Sequence, residues 1–110
     1  MDGPILEPDW KYLRSIRDEL INELCSRILR QAVEIARAEG NPLERYKALY
    51  RHIEKSDEVV ADCFDDWRRS TVRNTIICLR HHRLLTDDHV MHMSETAQAW
   101  LRMVEQSLDL

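Results

Sequence analysis

From Leu43 to Leu110 the chain contains neither glycine nor proline. Sheet folds reverse their strands through Gly, Asn-Gly or Pro chemistry. The final two-thirds of this chain offers none of it, so the sequence predicts an all-α protein. Glycine and proline fall in an N-terminal stretch (Gly3, Pro4, Pro8) and at one break (Gly40, Pro42). Residues 1–8 are therefore expected to be a flexible tail and residues 9–110 a single helical domain.

Leu13, Ile16, Leu20, Leu24, Ile28 and Ile35 recur at helical spacing and predict a long first helix over residues 9–39, with Asp9 as its N-cap. Such a helix is about 45 Å long. That exceeds the diameter of a compact domain of this size, roughly 26–35 Å. Arg17 falls within the apolar stripe and is expected to snorkel. Gly40 stands where a helix C′ residue would, after which Asn41 caps, Pro42 occupies the first turn and Glu44 can close a capping box. Leu43, Tyr46, Tyr50 and Ile53 give the second helix one apolar face, and it is expected to end near Lys55.

Ser56, Asp57 and Glu58 read as the start of another long helix, over residues 57–84. Val60, Cys63, Phe64, Trp67, Thr71, Thr75 and Cys78 share one of its faces. The β-branched run beginning at Thr71 weakens helix propensity, so the alternative is a break at Ser70-Thr71. Thr86 then caps a short turn and Ser94 the last helix, where Ala97, Trp100, Leu101, Val104 and Leu108 form an apolar stripe. The expected architecture is a helical bundle of four to five helices with two long ones, completed by dimerisation.

Sixteen basic and twenty acidic residues leave a net charge of −4, which weighs against generalised binding to nucleic acid or anionic membrane. The first ten residues lack the pattern of a signal peptide, and no apolar run approaches membrane-spanning length. Cys25, Cys63 and Cys78 lie in apolar surroundings as small hydrophobes. Their odd number and irregular spacing fit a reduced, cytoplasmic setting.

Charge is segregated along the stretch read as the third helix. Residues 57–66 hold five acids, Asp62 and Asp66 among them, and residues 68–83 hold five arginines. In an unbroken helix Arg69, Arg73 and Arg80 lie within about 40° of one another, with Arg83 at their edge. Three readings follow. The split complements a helix macrodipole; it pairs two copies antiparallel, acidic half against basic half; or the arginines contact phosphates. A helix-turn-helix outline, helix 71–84, turn 85–88 and helix from His89 on, has a counter-indication, because Asp87 and Asp88 would meet phosphates with like charge.

The segment HHRLLTDDHVMH carries His81, His82, His89 and His92. Zinc accepts imidazole and carboxylate sets, but this spacing matches no metal motif. The residues suffice for a turn: two leucines, a capping threonine and two acids for a first helical turn. No metal or other cofactor is expected. Nor is catalysis: the cysteines avoid helix N-termini, Asp65 and Asp66 point about 100° apart, and there is no glycine-rich phosphate loop. The sequence reading is a non-enzymatic, regulatory, adaptor or accessory module acting through homodimerisation and an unidentified protein partner, without membrane association. Trp10, Tyr46 and Tyr50 are its candidate anchors, and Asp62, Asp66, Arg69, Arg73, Arg80 and Arg83 its candidate charged contacts. The alternative is a nucleic-acid-associated regulator using the arginine stripe.

Overall fold

The computed structural model describes residues 3–108. Among them there is no strand; the chain forms helices α1 (Glu7–Arg37), α2 (Pro42–Phe64), α3 (Val72–His81), α4 (Asp87–Val90) and α5 (Glu95–Ser107), with a 3₁₀ turn at Arg69–Thr71. The all-α bundle with two long helices is as expected, but the second long helix is α2. It spans residues read as two helices, and the stretch read as one helix over 57–84 is broken at 65–71.

Both differences have a local cause. Ser56 does not start a new helix; its hydroxyl donates to the carbonyl of His52 one turn back, at 2.7 Å, and the helix runs on through it. At the far end, α2 stops because side chains take over its last carbonyls. The Trp67 indole donates to the Cys63 carbonyl at 2.7 Å, and Arg17 of α1 donates to the Phe64 carbonyl at 3.2 Å. Thr71 Oγ1 donates to the Asp66 carbonyl at 3.0 Å. With these groups satisfied, the chain can bend and fold Trp67 back against Phe64 and Trp10, at ring separations of 6.0 and 6.2 Å. Arg17 lies over both Phe64 and Trp67, so it packs and caps rather than snorkelling into water.

The start of α1 also corrects the sequence reading. Leu6 is the N-cap, and Asp9 is the third helical residue, its carboxylate accepting from the Leu6 amide at 2.9 Å. The same carboxylate, buried, accepts from the Ser94 amide and hydroxyl at 2.7 and 2.8 Å and so joins α1 to the head of α5. Ile5, assigned to the tail by the sequence, is fully buried in the core. Residues 1 and 2 of that tail lie outside the described residues.

Elsewhere the N-caps follow the sequence, whereas α1 ends at Arg37 with Ala38 as its C-cap, so Gly40 falls one residue beyond the C′ position read for it. Gly40 takes φ 132°, Asn41 Oδ1 accepts from the Glu44 amide, and Pro42 opens α2. Thr86 caps α4 and Ser94 caps α5.

The core gathers Leu13, Leu20 and Leu24 of α1, Cys63 and Phe64 at the end of α2, Ile76 and Leu79 of α3, Leu84 and Leu85 of the following turn, and Ala97 and Leu101 of α5. All of these lie toward one end of the α1–α2 hairpin. The other end projects, giving the molecule extents of 55 × 27 × 22 Å.

Candidate functional site: an apolar face on the projecting hairpin

Between residues 25 and 55 no side chain is buried. Two helices alone make a single contact layer. In this part of α1 and α2 that layer consists of half-buried groups such as Ile28, Ala32, Ile35, Ala48, Leu49 and His52. Polar contacts supplement it: His52 Nε2 donates to the Ile28 carbonyl at 2.9 Å, and Arg45 donates to the Ala36 carbonyl at 2.9 Å, satisfying a carbonyl of the last turn of α1.

Six large apolar side chains project from this region: Leu29 and Val33 of α1, and Leu43, Tyr46, Tyr50 and Ile53 of α2. They are 40–65% exposed. At 100° per residue, each set lies about 110° round its helix from the inter-helix seam. Because the helices are antiparallel, both offsets turn toward the same side. That side is opposite the one carrying Leu13, Leu20 and Leu24 into the core. The six therefore form one face, unoccupied by α3, α4 or α5. Tyr46, Lys47, Tyr50 and Arg51 line a depression of about 180 Å³ on it. Exposed Arg30, Glu34, Arg37 and Glu54 supply a rim of mixed sign. Apolar patches of this kind with a polar rim mark surfaces that bind other macromolecules.

Of the candidate anchors, Tyr46 and Tyr50 lie on this face. Trp10 does not: it is in the core beside Trp67.

Of the candidate arginines, Arg73 and Arg80 share α3, while Arg69 and Arg83 lie on the turns before and after it. Arg69 sits on the 3₁₀ turn, donating to the Ile5 carbonyl, with Glu7 at 3.7 Å. Arg80 is largely buried, bonded to Glu105 of α5 at 2.6 Å, to Asp87 at 2.9 Å and to the Leu85 carbonyl at 2.9 Å. These carboxylates, Glu105 foremost, hold its guanidinium pKa above the ordinary value. Arg73 is exposed on α3. Asp66 bonds its neighbour Arg68 at 2.5 Å, and Asp62 is exposed on α2. A depression of about 570 Å³ lies beside Arg80, Asp87 and Glu105, whose charges already bond one another.

Arg83 has a backbone role. It adopts φ 55°, and the bonds Leu84 N–H to Leu79 carbonyl and Arg83 N–H to Arg80 carbonyl close a Schellman turn at the end of α3. Arg27 of α1 clamps that turn, donating to the His82 and Arg83 carbonyls at 2.8 and 2.9 Å. Leu84 and Leu85 are then delivered into the core and Thr86 begins α4. The segment HHRLLTDDHVMH is thus a helix-ending turn and a new cap.

Its histidines separate. His89 Nδ1 accepts from the Thr86 amide at 2.9 Å while Nε2 meets Glu19 of α1 at 2.8 Å. His92 Nδ1 donates to the Asp88 carbonyl at 2.8 Å and its ring stacks on Tyr12 at 5.6 Å. His82 faces inward, where burial first and His81 second push its pKa below the ordinary value. It lies beside Cys63 and Cys78, a grouping that sequence spacing did not suggest.

No helix among the described residues is long and apolar enough to cross a membrane. No protein-family model, curated protein or solved structure matches the chain.

Proposed function

We propose that this protein is a non-enzymatic protein-binding module that docks partners on the apolar face of its projecting hairpin, and that its first occupant is a second copy of the chain. The observation that carries this reading is the run of residues 25–55, which has no buried side chain and holds six exposed large apolar groups. Helices draw most of their stability from tertiary packing of an apolar face, and half of each long helix lacks that packing in the single chain.

Two hairpins apposed about a two-fold axis would supply it. They form a four-helix layer in which Tyr46, Tyr50, Leu29 and Val33 of each copy are covered by the other. The rim carries both signs of charge, so an isologous contact places no block of like charge against itself. The proposed contact lies on α1 and α2, where apolar burial drives association, rather than on a charge-split third helix.

Sedimentation velocity over a concentration series is the test. The wild-type chain should pass from monomer to dimer, with little dependence on salt. Tyr50→Glu should hold it monomeric with an unchanged circular dichroism spectrum. A wild-type chain that stays monomeric through the series overturns this reading, and so does a dimer that tolerates Tyr50→Glu.

A further inference from the structure

The last turn of α2 and the last turns of α3 bring two thiols and an imidazole together. Cys63 and Cys78 Sγ are 2.7 Å apart, both free thiols, and a ring nitrogen of His82 completes a group whose donor atoms all lie within 4.8 Å of one another. Cys78 and His82 are separated by one helical turn and so share a face of α3. We propose that Cys63, Cys78 and His82 form a binding site for a zinc ion.

Three features favour this ligand class. Two sulfurs and one imidazole suit a borderline-soft cation, whereas hard cations require oxygen donors. The donors come from two elements whose main chains are fixed: the Cys63 carbonyl is held by the Trp67 indole, and the His82 carbonyl by the Arg27 guanidinium. These contacts fix the backbone from which the ligands project. Finally, Cys63 is buried while Cys78 and His82 are half-exposed, so the group has a dry floor and an open side.

Zinc–sulfur bonds of about 2.3 Å in a tetrahedron place two thiolates about 3.8 Å apart, so the sulfurs must separate by about 1 Å. The half-exposed Cys78 can provide that movement. Both thiols lose their protons as the ion binds, and the neutral imidazole donates its lone pair, so two protons are released per zinc. Asp62, exposed on α2, is close enough for its charge to act on both Cys63 and His82. The bound ion would pin the end of α2 to the end of α3 across the irregular segment 65–71.

Cobalt(II) titration of the reduced full-length chain tests the site. One equivalent should produce a thiolate-to-metal charge-transfer band and the visible bands of tetrahedral cobalt, and zinc should displace both. Zinc should also raise the melting temperature, and EDTA should reverse that rise. Cys78→Ser should abolish the charge-transfer band or weaken it severely. His82→Gln should lower affinity by more than the 10–100-fold typical of outer-shell changes. These two half-exposed positions keep the test valid even if Cys63→Ser fails to fold. The proposal is overturned if reduced protein gives no thiolate–cobalt band. It is equally overturned if the band survives both substitutions, or if Cys63 and Cys78 form a disulfide that persists in a reducing glutathione buffer and excludes metal. None of these readouts depends on the hairpin face.

Discussion

Replacing Asp9 with alanine tests how the amino-terminal end of the bundle is held. The Asp9 carboxylate is 2% exposed and accepts three hydrogen bonds, one from the Leu6 amide at the head of α1 and two from Ser94 at the head of α5. Bonds to a charged group contribute about 1.5–3 kcal/mol each, and removing the acceptor leaves buried donors unsatisfied. The losses do not add fully, because the Leu6 amide is near the surface and water can reach it. A total of about 4 kcal/mol is expected for Asp9→Ala. That is a large part of the ~5–15 kcal/mol available to a domain this size, and corresponds to a fall in Tm of roughly 15–25 °C. Asp9→Asn, which keeps one acceptor oxygen and loses the charge, should cost about half as much. Urea denaturation of both variants gives the energies, and a double-mutant cycle with Ser94→Ala isolates the link between α1 and α5, expected at about 1 kcal/mol or more. A cost below ~1 kcal/mol for Asp9→Ala, or no coupling to Ser94, would refute the assignment of Asp9 as a junction between helices.

Arg83 holds a left-handed conformation at the end of α3, where glycine is the preferred residue; Arg83→Gly should stabilise the fold by about 0.5–1 kcal/mol in chemical denaturation. Leu20→Ala, in the core, should cost about 2–5 kcal/mol. Leu29→Ala, on the exposed face, should leave monomer stability within about 0.5 kcal/mol while weakening self-association in sedimentation. Burial first, and the Glu19 carboxylate second, push the Tyr12 phenol above its ordinary pKa of about 10. The unfolded chain therefore ionises first, so the contribution of Tyr12 is fully present below about pH 10 and is lost as pH rises through the folded value. Tyr12→Phe should reduce the loss of stability across that alkaline range in pH-dependent melting.

What the sequence disclosed were features encoded within a few residues. Asn41, Thr86 and Ser94 read as caps from the sequence, and each accepts from the amide three residues on, at Glu44, His89 and Ala97. Features that depend on distant partners stayed hidden. The end of α2 is set by Arg17, 47 residues away, and by the indole of Trp67 folding onto Trp10. Without those partners, residues 57–84 show an unbroken helical period. Asp9 has the composition of an N-cap, and only its bond to Ser94, 85 positions on, shows its other role. The exposed face was in plain view as the Leu43, Tyr46, Tyr50, Ile53 stripe, but periodicity identifies an apolar face without showing whether the same chain covers it. Cys63, Cys78 and His82 gave no signal because their convergence results from the whole bend over 65–71, of which the sequence marked only Ser70-Thr71 as a weak point.

If the proposed dimer forms, a second copy of the chain covers the hairpin over residues 25–55, where no side chain is buried. Hydrogen exchange measured at several protein concentrations addresses this residue by residue. Amides of residues 29–37 and 43–53 should exchange rapidly in dilute solution and gain protection as concentration rises, while those around Leu13, Leu20, Ile76 and Leu79 stay equally protected throughout. Full protection of the hairpin in the dilute monomer, unchanged with concentration, would contradict the claim.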